Sequence, residues 1–342
     1  MPTQINTVTG PISPDDLGKT LMHEHFFFGY PGFQGDSLGF RTREELVSLG
    51  VEVAERAKSQ GVKTVVDATP NECGRDPELL REVSERSGIQ IVCSTGYYYE
   101  GEGATAYFKF RSALAPADAE VEELMMTELT EGIGDTGVKA GVIKLASSKD
   151  VITDYEKMFM LAGAKAQGAT GVPIITHTQE GTMGPEQAAL LVEAGANPDQ
   201  VMVGHMDGNT DIAYHMATLA HGVSVGFDRF GIQVLVGAPM DAAREATLIG
   251  LLGMGYGDRI MLSHDTVNIW MGRPLVMSDE IAGLLENWHI THLFENVVPV
   301  LQNAGISDER INAIFTENPK RLFDPSAAPS TASRETAGTV GS

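Results

Sequence analysis

Short apolar runs alternate with longer amphipathic segments along most of the chain, and that alternation constrains the fold more than any other feature. The runs are Thr20–His23, Thr64–Ala68, Ile89–Ser94, Gly141–Leu145, Pro173–His177, Val201–His205, Val223–Phe227 and Ile260–His264. Between them, helical periodicity covers Arg43–Lys58, Pro77–Ser87, Asp118–Ile133, Tyr155–Ala166, Pro185–Ala194, Ile212–Ala220 and Met240–Met254. Runs that are apolar on both faces fit the buried strands of a parallel sheet, and strand–helix alternation gives an α/β architecture. Eight repeats in roughly 250 residues match a (β/α)8 TIM barrel better than an open sheet. No Gly-x-Gly-x-x-Gly follows the first run, so dinucleotide binding lacks its usual support.

The barrel has short appendages. Thr7-Val8-Thr9-Gly10-Pro11-Ile12 carries the turn chemistry of a small hairpin, placed to plug the barrel floor. After Asp265 a connection of about 25 residues reaches the final helix near Thr291, a length usually reserved for functional loops. Residues 1–324 read as a single (β/α)8 barrel domain. Residues 325–342, rich in Pro, Ser, Ala and Thr, read as a low-complexity, disordered tail.

Acidic residues outnumber basic ones 46 to 24, for a net charge of −22. That balance disfavours nucleic acid and anionic membranes, whose binding requires basic patches. The two cysteines, Cys73 and Cys93, have no metal or redox spacing and point to a reducing compartment. The first residues lack a basic and an apolar region of the signal-peptide kind, and no run is long enough to span a bilayer, so the expected location is the cytoplasm.

Several of the apolar runs end in groups that carry chemistry. His23 and His25 lie two apart on the first, so both side chains share one face. His177 and His205 end the fifth and sixth, and Asp265 follows the eighth on the face of Met261 and Ser263. Lys144 lies in the fourth, in Gly141-Val142-Ile143-Lys144-Leu145-Ala146, where a buried ammonium requires an explanation. It could form an ion pair, act as a Schiff-base lysine in an aldolase-type barrel, or react as a neutral amine with carbon dioxide to give a carbamate that bridges two cations. Each residue alone has a packing or salt-bridge explanation. Together, at one rim of a barrel, they suit two divalent metal ions, zinc first, with cobalt, manganese or iron fitting the same donors. His215, His221, His289 and His292 fall in helical or loop segments and read as structural.

The stretches Thr20-Leu21-Met22-His23-Glu24-His25, Gly137–Lys144, Thr176-His177-Thr178, Gly204-His205, Phe227-Asp228-Arg229-Phe230-Gly231 and Leu262-Ser263-His264-Asp265 resemble the phosphotriesterase family of the amidohydrolase superfamily. Asn287-Trp288-His289 and Glu317–Phe323 resemble its C-terminal landmarks, so the likeness runs from residue 5 to about 324. The resemblance implies that His23, His25 and Asp265 hold a more buried metal and His177 and His205 a more exposed one. A carboxylated Lys144 and a hydroxide would bridge them, with Asp265 also shuttling the proton. In the family's lactonase-like branch, a Tyr after the third strand and an Arg after the seventh line the site, roles that fall here to Tyr98 and Arg229. Packing and a salt bridge with Asp228 are the competing explanations for these two. The resemblance further implies a homodimer. The activity it implies is opening of lactones such as N-acyl-homoserine lactones, with side activity on organophosphate triesters. A dedicated phosphotriesterase or another carboxylic ester hydrolase is the alternative. Phe26, Phe27, Phe28, Tyr30 and Phe33 after the first run, with Trp270, Met271 and Leu275, would form an apolar slot for an acyl or aryl group.

Overall fold

The computed structural model describes residues 4–38 and 41–326. A hairpin of β1 (Ile5–Thr7) and β2 (Gly10–Ile12) leads into a curled, all-parallel sheet. Its strands are β3 (Lys19–Phe28), β4 (Val62–Asp67), β5 (Gln90–Gly96), β6 (Val142–Ser147), β7 (Ile174–Thr178), β8 (Val201–Val203), β9 (Ser224–Phe227), β10 (Ile260–Leu262) and β11 (Val267–Trp270). Each of β3 to β9 is hydrogen-bonded to the next, β10 pairs with β9, and β11 pairs with β3. The eight expected strands are therefore all present. The ninth, β11, is the continuation of the eighth beyond a break at residues 263–266. One half of that interrupted strand follows β9 and the other half reaches β3, which closes the barrel.

The outer helices include α1 (Arg43–Ser59), α2 (Pro77–Ser87), α3 (Ala106–Leu114), α4 (Asp118–Thr130), α5 (Asp154–Thr170), α6 (Gly184–Glu193), α7 (Ile212–Leu219) and α8 (Asp241–Gly253). Their starts are set by local chemistry. Thr42 with Glu45 and Thr153 with Glu156 form reciprocal capping boxes, and Asp76 caps α2 just before Pro77. Helix α4 ends three residues short of the expected Ile133, because Gly132 and Gly134 take positive φ there. Helix α3 has no counterpart among the expected helices: its Tyr107, Phe110 and Leu114 face solvent and leave only Phe108 buried, so no inward apolar stripe marks it.

The connection after Asp265 is more structured than expected: it contains β11 and the short helix α9 (Asp279–Leu284). The single final helix expected near Thr291 is a π-turn at Leu293–Val297 that runs into α10 (Val298–Asn303), followed by α11 (Asp308–Phe315) and α12 (Glu317–Phe323). Of the expected disordered tail, residues 327–342 lie outside the described residues. Among the described residues, no helix is long and apolar enough to cross a membrane.

Two layers fill the barrel. The floor is apolar: Met22, Val66, Val92, Val142, Ile175, Met202 and Met261 meet Ile5 of the hairpin and Leu322 and Phe323 of α12. The hairpin thus plugs the floor as expected, with α12 as a second plug. One layer up, at i+2 on their strands, Lys144 and His177 face the same interior. Strict alternation would put Met22 and His23 on opposite faces, yet both reach inside. A register shift of β3 against β4 between Leu21 and Glu24 inserts one extra residue and turns the upper half of the strand.

Candidate metal centre

His23, His25, Lys144, His177, His205 and Asp265 converge at the C-terminal rim of the barrel, and none is more than 8% exposed. His25 Nε2 lies 3.0 Å from Asp265 Oδ1, and His23 Nε2 lies 3.5 Å from the same oxygen. His205 Nε2 is 3.6 Å from Asp265 Oδ2, and Lys144 Nζ is 2.6 Å from His23 Nε2. His177 packs edge-on against His205, with ring centroids 4.5 Å apart.

The other nitrogen of each imidazole is committed elsewhere. Asp228 accepts from His23 Nδ1 through Oδ2 and from His205 Nδ1 through Oδ1, each at 2.8 Å. His25 Nδ1 lies 2.8 Å from Thr69 Oγ1, and Gln179 Oε1 accepts from His177 Nε2 at 2.7 Å. Such outer partners select the tautomer and leave a lone pair on the inward nitrogen, as in metal-ligating histidines generally. His205 Nε2 is buried and has no hydrogen-bond partner, an arrangement that is costly unless that nitrogen serves as a ligand.

Among the described residues, two groups have the spacing to hold a cation, His23–His25–Asp265 and His23–His205–Asp228. Their chemistry differs. Asp228 already accepts three hydrogen bonds, including the His205 amide at 2.6 Å, so it acts as the brace for two imidazoles. Asp265 offers the inward carboxylate. Gly204 makes this brace possible: a Cβ there would lie 2.2 Å from the Thr176 carbonyl oxygen and 2.9 Å from Asp228 Oδ2.

The electrostatics agree with this geometry. Burial, reinforced by Arg229, lowers His205 to about 3, and burial with His205 nearby holds His177 well below the usual imidazole range. Burial and then Lys144 lower His23. These rings are neutral, the form that ligates. Burial alone would raise Asp265, but His205, His23 and Arg229 hold it well below the carboxylate range, so it is an anion. Burial lowers Lys144 to about 8, although Asp265 and Asp228 pull it upward. A neutral amine is accordingly within reach near neutral pH.

Arg229 does not form the salt bridge with Asp228 that was its competing explanation. Its guanidinium Nε donates instead to Asp265 Oδ2 at 2.9 Å, while Asp228 is taken up by the two histidines. Asp265, and not His264, does share the interior as expected. The cause is a turn rather than strand alternation, because β10 ends at Leu262 and Asp265 has φ +53°. His205 is also left-handed, at φ +56°. Both thus hold sparsely populated conformations of the kind that collect at functional sites.

Above the cluster lies a cavity of about 190 Å³, into which His25, Arg229 and Asp265 open. Its walls include Phe28, Tyr30, Tyr98, Ile232, Trp270 and Trp288. The expected apolar slot is therefore present with a different lining: Phe28, Tyr30 and Trp270 contribute, Phe26 and Phe27 belong to the core, and Leu275 is exposed away from it. Tyr98 packs edge-on against His177 at 4.8 Å, and burial pushes its phenol well above the ordinary value, so it stays protonated.

Sequence reasoning missed Asp228, Thr69 and Gln179 as braces. Asp228 carried a usable signal, since it ends the seventh strand beside Arg229. Thr69 and Gln179 carried none beyond their placement just after strands.

Neutral imidazoles with their outer nitrogens committed, gathered around one anionic carboxylate on a barrel rim, are built to hold cations beneath a substrate cavity. The chain is a metal-dependent hydrolase. The Phosphotriesterase family model matches residues 3–323, and the chain belongs to that family. It is 34% identical over 316 residues to the aryldialkylphosphatase of Saccharolobus solfataricus, covering 91% of this chain and 96% of that one. The solved organophosphorus hydrolase of Deinococcus radiodurans superposes with a TM-score of 0.93 at 53% identity, over 94% of this chain and 97% of the other. A further solved chain, described as organophosphate hydrolysis engineered from a weak promiscuous lactonase template, is 52% identical with a TM-score of 0.92, over 94% and 99% of the two chains.

Proposed function

We propose that this protein opens lactones with a hydrophobic substituent, N-acyl-homoserine lactones being the representative class, and hydrolyses organophosphate triesters as a weaker side reaction. The observation that carries the reading is the apolar cavity directly over the His/Asp cluster, walled by Phe28, Tyr98, Trp270 and Trp288. Among the described lining residues Arg229 is the one Lys or Arg, and it is paired with Asp265, while Glu102 adds an acid. Such a wall suits a neutral, apolar ester better than a phosphorylated anion. The likeness to a chain described as a weak promiscuous lactonase template supports the same substrate class.

In this reading His23, His25 and Asp265 hold one divalent cation and His177 and His205 the other, with zinc the first candidate and cobalt, manganese or iron able to take the same donors. Bound there, two cations would lower the pKa of water at the site and polarise the ester carbonyl. Lys144, in its neutral form, adds through Nζ to carbon dioxide, forming an N–C bond and releasing one proton. The carbamate so formed would add an anionic oxygen donor to the ligand set.

Asp265, an anion steadied by Arg229, accepts the proton released as water adds to the lactone carbonyl carbon. The ring C–O bond breaks, the leaving alkoxide takes up a proton, and the product is a hydroxy acid. Tyr98, protonated and at the cavity wall, is placed to donate a hydrogen bond to the ester oxygens.

A paired assay of paraoxon and a long-chain N-acyl-homoserine lactone on the metal-loaded protein tests this. A larger kcat/KM for the lactone is expected. A larger value for paraoxon would make the protein a dedicated phosphotriesterase, and purified protein that takes up no divalent metal would remove the reading altogether.

A further inference from the structure

Strand eight is broken at residues 263–266, where the parallel ladder stops on one side of the break and resumes on the other. Buried amides at such a break need acceptors from elsewhere. The side chain of Glu24, wholly buried between His23 and His25, provides them. Its Oε1 accepts from the His264 amide at 3.0 Å, and its Oε2 from the Thr266 amide at 2.9 Å. Oε1 also accepts from Ser263 Oγ at 2.8 Å and from His264 Nδ1 at 2.6 Å. The donor role of Nδ1 follows from the other ring nitrogen, His264 Nε2, which accepts from the Leu293 amide at 3.0 Å.

These bonds bracket one residue. The amides immediately before and after Asp265 both end on Glu24, and Asp265's own amide donates to the His23 carbonyl at 3.0 Å. Ser263 Oγ, besides donating to Glu24, accepts from the His23 amide at 3.0 Å. The His23-Glu24 dipeptide thus grips both flanks of a left-handed, non-glycine turn that would otherwise relax.

We propose that Glu24 is a positioning residue for Asp265: it holds the break in strand eight so that the Asp265 carboxylate stays aimed at His25 and Arg229 and so at the metal site. The inference rests on the assignment of Asp265 to that site. A carboxamide cannot replace the carboxylate here, because both Glu24 oxygens accept and glutamine has only one acceptor.

The test compares wild type, Glu24→Gln and a core control, Val83→Ala, which lies in the outer shell between α1 and α2, away from the site. Each is loaded with cobalt, and its visible absorption, its rate of cobalt release to a chelator, and its kcat and KM are measured well below its Tm. For Glu24→Gln the expected results are an altered cobalt spectrum, release faster by about tenfold or more, and a kcat lower by about tenfold with little change in KM. The control should lose Tm and change none of these. A Glu24→Gln protein that loses Tm alone, as the control does, would overturn the proposal. If that variant does not fold, Ser263→Ala, which removes one donor to Glu24, should show the same changes at smaller size, and a wild-type cobalt spectrum and release rate in it would be overturning. Failure of wild type itself to take up cobalt would count against the metal assignment, and so separates the two.

Discussion

Arg229 Nε donates to Asp265 Oδ2 at 2.9 Å, and the pair is buried within the barrel rim. Asp265 therefore faces His23 and His25 through Oδ1, and a fixed cation together with His205 through Oδ2. Arg229→Lys keeps the charge but loses the planar donor array, so Asp265 gains freedom to turn. The expected result is a kcat/KM reduced by about tenfold to a hundredfold, with a bound metal content close to wild type. Steady-state kinetics combined with metal analysis of the purified variant checks both halves.

Asp228 makes a different prediction because it touches the histidines through their outer nitrogens. Asn at this position can accept from one Nδ1–H and must turn an NH2 toward the other. Asp228→Asn should weaken metal affinity by about 10- to 100-fold, since such braces set ligand tautomer and basicity. Competition with a chromophoric chelator reads this directly, and unchanged affinity would show that the brace is not needed.

Below Arg229 lies a second buried ion cluster. Arg244, fully buried, pairs with Asp241 Oδ1 at 2.6 Å and Asp207 Oδ2 at 3.3 Å, and donates to the carbonyls of Arg229 and Ile232. Arg244→Met preserves the stem but leaves the buried Asp207 carboxylate without its cation, while the half-buried Asp241 keeps Gln233 and His292. Removing one side of a buried ion pair costs about 3–5 kcal/mol, and urea denaturation should show a loss of that order. A change below about 1 kcal/mol, the range of exposed pairs, would mean that water reaches the cluster.

Glu72 carries the pH prediction. Part of its stem is exposed, but Oε2 is buried without a partner, and Oε1 accepts from the Tyr98 amide at 2.7 Å. Burial raises its carboxyl to about 8, against the pull of that hydrogen bond and of Arg75. With the folded value above the unfolded one, the native state binds the extra proton. Its contribution is full below the unfolded value, about 4.5, and is lost as pH rises through about 8. Glu72→Gln removes that loss, so Tm of the variant relative to wild type should rise from pH 5 to pH 9. Thermal melts across that range check it, and parallel Tm curves would contradict it.

Much of this was legible in the chain because barrel strands announce themselves. Lys144 and His177 each sit two residues beyond an apolar floor residue, and period-two alternation places them inside without further information. The ends of β8 and β10 were harder. His205 and Asp265 reach the centre through left-handed turns, and those depend on bonds that form only once distant strands are in place. For Arg229, adjacency in sequence offers Asp228 as a competing salt-bridge partner, while the fold commits Asp228 to His23, 205 residues away, and turns Arg229 to Asp265.

The sequence by itself determined the barrel, through its alternation of buried runs and amphipathic segments, and the identity of the six groups at its rim. Tertiary structure decided how those groups meet. The extra residue in β3 turns His23 inward, and the break at 263–266 closes the barrel while swinging Asp265 over it. Asp228, Thr69 and Gln179 choose which nitrogen of each histidine faces the centre. The physical reason is range: periodicity acts between residues two to four apart, whereas these bonds join strands that become neighbours only when the sheet curls shut.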